Sequence, residues 1–150
     1  MSLPGPRVAV LPRFIADAIV VQARAEQPNE ACGLIVGSDA WTVGGVASRY
    51  EACRNRLASP YRYEVHPDDL LRVSVAADDA GEVIWGIVHS HVRSAAVPSP
   101  TDIRLAFYPE ALHLLVSLAA DQSDPATGAL SLRAWRILDG VVHEIALEVA

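Results

Sequence analysis

The chain has 150 residues, 51% of them hydrophobic and 20% charged, the size and balance of one globular domain that buries roughly 70% of its unfolded surface without needing staples. Its 12 Lys and Arg against 18 Asp and Glu give a formal charge of −6 with no basic run, which argues against a nucleic-acid partner. The amino-terminal apolar stretch is interrupted by Arg13 and Asp17 and followed by Arg24 and Glu26, so it reads as neither signal peptide nor membrane span, and the expected location is the cytoplasm, with no membrane partner.

Ile15, Ala18, Ile19 and Ala23 share one face of a 3.6-residue period, predicting an amphipathic helix over residues 12–27 that Pro28 ends. Ala31 to Gly37 is a short, apolar, glycine-bounded run and is expected to form a buried strand. Trp41 to Tyr50 is expected to pair back onto it across Ser38-Asp39-Ala40. Pro67-Asp68-Asp69 opens a second helix that runs to about Asp79, with proline and acids in the first turn and Gly81 as its stop. The stretch Glu82 to His91 is too apolar for a sheet edge and is expected at the centre. A third helix starts at Ser99-Pro100-Thr101-Asp102, and Ala111 to Leu118 returns as a strand. Leu130 to Leu138 and Val141 to Val149 flank Asp139-Gly140, a two-residue hairpin signal. The order α, β, β, α, β, α, β, β, β, with no repeat and no linker, predicts one α/β sandwich domain over residues 1–150.

The chemistry lies in residues 89–102. Residues two apart on a strand project from the same face, so His89 and His91 present two imidazoles side by side at the end of the central strand. Catalytic zinc commonly takes three protein ligands from His and carboxylate, and Asp102, returned by the loop 92–98, can supply the third. Each residue also has a plainer reading. Ser99-Pro100-Thr101-Asp102 is by itself a good helix start, and a His-x-His pair is often just a polar strand terminus. Capping and ligation are compatible, because a helix start holds Asp102 while leaving a carboxylate oxygen free.

The full spacing His89-x-His91-x7-Ser99-x2-Asp102, with Glu30 upstream in Asn29-Glu30-Ala31-Cys32-Gly33, resembles the JAMM (MPN+) zinc metalloprotease family over nearly the whole chain. Ser59-Pro60 followed by Tyr61-Arg62-Tyr63, Pro98-Ser99 and Val116-Ser117 are most similar to its small prokaryotic members. The two long insertions of the eukaryotic members that act on ubiquitin chains are missing. The resemblance implies a single-domain sandwich of a central mixed β-sheet flanked by helices, of cytidine-deaminase-like architecture. It implies one Zn2+ per chain on His89, His91 and Asp102, with Glu30 as acid/base for the attacking water and Ser99 as hydrogen-bond donor to the oxyanion. The implied substrate is the carboxy-terminal tail of a ubiquitin-like or sulfur-carrier protein, cleaved at the amide that follows it, with cysteine as one leaving group. Residues 51–65 and Leu118 to Ala129 are candidate walls for that tail, and a homo-oligomer remains open. Two alternatives stand beside this reading: a zinc hydrolase of small amides or peptides without a carrier protein, and a metal-free scaffold of the same fold.

The remaining candidates receive structural expectations. Ser90 faces away from the histidine pair and is expected to support or pack rather than react. His66, His113 and His143 lack ligand spacing, and His113 is expected as a satisfied core residue. Cys32 is expected to be a buried small hydrophobe, with a disulfide to Cys53 or a nucleophilic role as the alternatives.

Overall fold

A computed structural model describes Leu3 and residues 5–150. Met1, Ser2 and Pro4, part of the segment read above as neither signal peptide nor membrane span, lie outside the described residues. Among those described, no helix is long and apolar enough to cross a membrane.

The elements in chain order are β1 (Val8–Leu11), α1 (Arg13–Glu26), β2 (Cys32–Gly37), β3 (Ala47–Cys53), α2 (Pro67–Asp79), β4 (Val83–His91), α3 (Pro100–Arg104), β5 (Leu112–Ser117), β6 (Ser131–Leu138) and β7 (Val141–Val149). The strands form one mixed sheet in the order β1-β7-β6-β5-β4-β2-β3. Helices cover both faces, which is the α/β architecture expected. On one face α1 sets Ile15, Ile19 and Ala23 against Ile35, Val88, Leu112 and Leu114. On the other, α2 sets Val73 and Ala77 against Leu34, Val36 and Ile87. Fully burying one such aliphatic side chain contributes ~1.5–3 kcal/mol, so β4 is clamped from both sides and makes a stiff platform.

A bulge decides which face carries the chemistry. The β2–β4 register shifts between Ile35, opposite Gly86, and Val36, opposite Ile84. Trp85 is the extra residue, so Ile84 and Ile87 both face α2 while Trp85 turns into the α1 core. A one-residue slip inverts every later side chain on a strand. From Ile87 onward, alternation carries His89 and His91 to the α2 side.

Three local expectations need correction. Val8–Leu11, for which the expected order had no element, forms β1 and pairs in parallel with β7. Trp41 does not begin a strand: Trp41–Val43 is a 3-10 turn closed by Gly44, whose φ of 86° is left-handed and whose N–H donates to the Trp41 carbonyl. The hairpin partner of β2 therefore starts only at Ala47. In α1 the buried stripe includes Ala16, whereas Ala18 is exposed. The Asp139-Gly140 hairpin is present as expected, with positive φ at both residues.

Candidate metal centre

The candidate residues reach the site by separate local routes. Ser99 caps α3: its Oγ accepts from Asp102 N at 3.1 Å, and Asp102 Oδ2 accepts from Ser99 N at 2.8 Å, a closed capping box with Pro100 at the first position. The loop 92–98 is pinned from two strands. Ser117 Oγ donates to the Ser94 carbonyl at 2.6 Å, and Trp135 Nε1 donates to the Ala96 carbonyl at 2.9 Å. Asp102 is thereby returned over the end of β4.

Three ligand atoms converge there. His89 Nε2 and His91 Nε2 are 3.2 Å apart, and Asp102 Oδ2 lies 3.2 Å from the first and 3.1 Å from the second. Among the described residues this is the one group of three His, Cys, Asp or Glu side chains placed to share an ion. Zinc bonds of about 2.0–2.1 Å at tetrahedral angles put neighbouring ligand atoms about 3.3 Å apart, so the triangle already has nearly the right edges. The donor set of two imidazoles and one carboxylate is of the catalytic type, which keeps a position for water.

Proton positions argue the same way. His91 Nδ1 lies 2.8 Å from the Ala95 carbonyl, which can only accept. Neutral His91 therefore carries its proton on Nδ1 and turns the lone pair of Nε2 toward His89 and Asp102. Lone pairs and a carboxylate oxygen pointed at one spot are poorly satisfied by each other and well satisfied by a cation. Burial opposes ionisation of Asp102, yet the two imidazoles beside it and the hydrogen bond from the Ser99 N–H outweigh it and hold the carboxyl well below the usual range. Burial likewise lowers His89. For His91 the attraction of Asp102 and the Ala95 carbonyl overcomes burial, and its pKa is raised. The field that favours a proton on His91 favours a metal ion in the same place.

One refinement concerns Asp102. The oxygen that closes the cap, Oδ2, is also the one facing both imidazoles, rather than a second oxygen left over for the metal. Cap and site share a single atom.

Glu30 sits just before β2 and is only 4% exposed, with Oε1 buried and unpartnered among the described residues. Its backbone is fixed at both ends, since Glu30 N donates to the Ser59 carbonyl at 2.8 Å and Asn55 Nδ2 donates to the Glu30 carbonyl at 3.0 Å. Ser90 completes the stitch: its Oγ accepts from Ala31 N at 2.8 Å and its N donates to the Ala31 carbonyl at 3.0 Å. Ser90 thus has the supporting role expected of it. Burial raises the Glu30 pKa to about 7, with the positive field of His91 opposing and the charge of Asp102 reinforcing. A carboxyl poised near 7 can both accept and release a proton at neutral pH.

Sequence reading names Tyr63 only as part of the family resemblance and gives it no role at the site, yet its ring stacks on His89 with centroids 4.3 Å apart and planes 20° from parallel. Its position inside the candidate wall 51–65 was the available signal. The cavity beside the site is lined from 57–70 and 101–108 together with Leu34, Ile87 and His113, and Leu118 to Ala129 take no part in it. His113 is buried as expected but is not satisfied: its Nε2 has no partner among the described residues. Cys32 and Cys53 are both free and buried. Burial raises their thiols to about 12 and about 11, which suits inert packing groups rather than nucleophiles.

A mixed sheet between helices, with two histidines at the end of its central strand and an aspartate at the next helix start, defines a JAB-type domain. The chain belongs to that family, and the model for prokaryotic homologs of the JAB domain matches residues 12–138. The CysO-cysteine peptidase of Mycobacterium tuberculosis is 36% identical over 137 residues, which cover 91% of this chain and 88% of that protein. The Desampylase of Haloferax volcanii is 35% identical over 107 residues, 67% of this chain and 74% of that one. The solution structure of a Desulfitobacterium hafniense protein superposes with a TM-score of 0.78 at 28% identity, covering 95% of this chain and 92% of the other.

Proposed function

We propose that the chain is a zinc-dependent peptidase that cleaves the amide following the carboxy-terminal tail of a ubiquitin-like or sulfur-carrier protein. The observation that carries this reading is the triangle of His89 Nε2, His91 Nε2 and Asp102 Oδ2, with edges of 3.1–3.2 Å. The similarity to a CysO-cysteine peptidase and a Desampylase supports the choice of substrate class.

His89, His91 and Asp102 would hold one zinc ion. When bound, zinc would supply Lewis-acid charge, which can lower the pKa of a water to about 7 and polarise a carbonyl. Glu30, desolvated and titrating near 7, takes the proton from the attacking water and hands it to the departing nitrogen. Ser99 Oγ already accepts the Asp102 N–H, so its hydroxyl proton is available for the oxyanion of the tetrahedral adduct, a contribution of ~3 kcal/mol for a well-placed donor. Tyr63 holds the His89 ring in plane from one side.

The test uses a ubiquitin-like carrier whose Gly-Gly tail bears an amide-linked cysteine, followed by intact mass spectrometry. The wild type should release the cysteine. Glu30→Gln should keep the metal, bind the carrier and turn over ~10²–10⁴-fold more slowly. A fully active Glu30→Gln overturns the mechanism, whereas a carrier left intact by a metal-loaded protein that hydrolyses small amides overturns only the substrate class.

A further inference from the structure

Beside the metal site lies a cavity of about 500 Å³, inside the range of sites that take small molecules or single side chains. Asp102 and Tyr63 line it and also belong to the metal site. Its remaining walls include Leu34, Leu70, Ile87, Leu105 and Phe107. The mouth is rimmed by apolar groups that solvent would not favour: Leu105 is 51% exposed and Phe107 75%.

Arg62, Glu64, Thr101 and Tyr108 also line the cavity, but one polar group is buried in its floor and left without a partner. His113 lines the cavity, is 4% exposed, and its Nε2 finds no partner among the described residues. The sheet register explains where it sits. Leu34, Ile87 and His113 form one row across β2, β4 and β5, and Cys32, His89 and Leu115 form the row two residues farther along. Two residues of strand span roughly 6.6 Å at about 3.3 Å each, so the floor of the cavity is about one side chain away from the ligand His89. Burial lowers the His113 pKa to about 4, which leaves a neutral ring able to make a hydrogen bond through Nε2. An aliphatic occupant would keep that nitrogen orphaned at a cost. A flat apolar side chain with a polar tip would pair it.

We infer that this cavity is a specificity pocket for an aromatic side chain bearing an O–H or N–H, the phenol of tyrosine or the indole of tryptophan, carried by a substrate residue near the scissile amide. The inference rests on the peptidase reading for the word substrate, and on the cavity alone for the chemistry of its occupant. A tail of glycines would not fill it. His113 acts as the reader of the polar tip, and Leu105 and Phe107 form the rim that closes over the ring.

The experiment titrates the full-length, zinc-loaded protein with 4-methylphenol, 3-methylindole and toluene, followed by amide and imidazole NMR shifts. The phenol and the indole should saturably shift the His113 imidazole and the amides of Leu105 and Phe107, and should bind at least fivefold more tightly than toluene. His113→Phe should erase that preference. Should His113→Phe fail to fold, the wild-type ratio of phenol to toluene still decides, and Phe107→Ala, a change at the exposed rim, should weaken all three ligands. Equal binding of toluene, or shifts that bypass His113, overturns the pocket. Because no hydrolysis is measured, this failure is distinct from a failure of the peptidase reading.

Discussion

Two helix starts in this chain are built to the same local plan and end in different chemistry. His66-Pro67-Asp68-Asp69 opens α2 and Ser99-Pro100-Thr101-Asp102 opens α3, each with a capping side chain, proline at the first position and aspartate at the third. His66 Nδ1 accepts from Asp68 N at 3.2 Å, as Ser99 Oγ accepts from Asp102 N at 3.1 Å. The aspartates then diverge. Asp69 takes all its hydrogen bonds from one residue, Arg54 N at 2.8 Å, Arg54 Nε at 3.1 Å and Arg54 Nη2 at 3.0 Å, with Arg72 Nη2 a further 3.9 Å ion-pair partner. Asp102 meets two imidazoles through a single oxygen, and the nitrogens facing it include one whose proton is committed elsewhere. A guanidinium fork saturates a carboxylate and leaves nothing to bind. The His91 lone pair, the His89 ring nitrogen and a carboxylate oxygen, all turned to one spot, leave a place for a cation. Capping syntax fixes where a carboxylate stands, and the partner delivered by the fold fixes its use.

Substitutions at the paired positions should separate the two roles. The largest effect is expected for Asp102→Ala, which should lower zinc affinity by more than ~100-fold and reduce hydrolysis to background, as read by metal content after dialysis and by turnover. Ser99→Ala should cut kcat by ~10²–10³ with zinc retained, and should cost about 1 kcal/mol of stability for the lost cap. Asp69→Ala should do the reverse, lowering unfolding free energy by ~2 kcal/mol in urea titrations while zinc content and turnover per folded molecule stay unchanged. The smallest effect is expected for His66→Ala, about 0.5–1 kcal/mol from the cap alone, with no change in rate. Loss of zinc from Asp69→Ala would mean that the two helix starts are not functionally distinct.

A pH experiment sharpens the same contrast. Hydrogen bonds from Arg54 lower the Asp69 carboxyl from 3.8 to about 2. An acid whose folded pKa is depressed stabilises the fold fully above its unfolded pKa and loses that contribution as pH falls toward the folded value. Stability should therefore drop between about pH 4 and pH 2. With Arg54 largely in solvent, screening by water and salt keeps this contribution small. Asp69→Asn should flatten this limb of the pH–stability curve.

The parts of the site legible in the sequence are those encoded by short-range period and capping. His89 and His91 share a face because strands alternate, and Asp102 stands at a helix start because Ser99 and Pro100 announce one. The supports are long-range and were not legible. β1 is four residues long and pairs with β7, whose partner residues lie 138 positions later. Nothing adjacent to Tyr63 says that it will lie on His89, and nothing near Ser59 says that its carbonyl will hold the Glu30 N–H. Trp41 reads as a strand residue by propensity, but Gly44-Gly45, three residues on, is the turn marker that outweighs it. His113 appeared to be an ordinary core histidine because a sequence shows apolar neighbours and not the missing partner.

His89, His91 and Asp102 are proposed to form one metal site. Calorimetric titration of metal-stripped protein with zinc chloride tests it most directly. The expected stoichiometry is one zinc per chain for the wild type and for Glu30→Gln, with tight binding abolished in His89→Ala and Asp102→Ala. A wild type that takes up no zinc, or an Asp102→Ala protein that binds it as tightly as the wild type, would contradict the account.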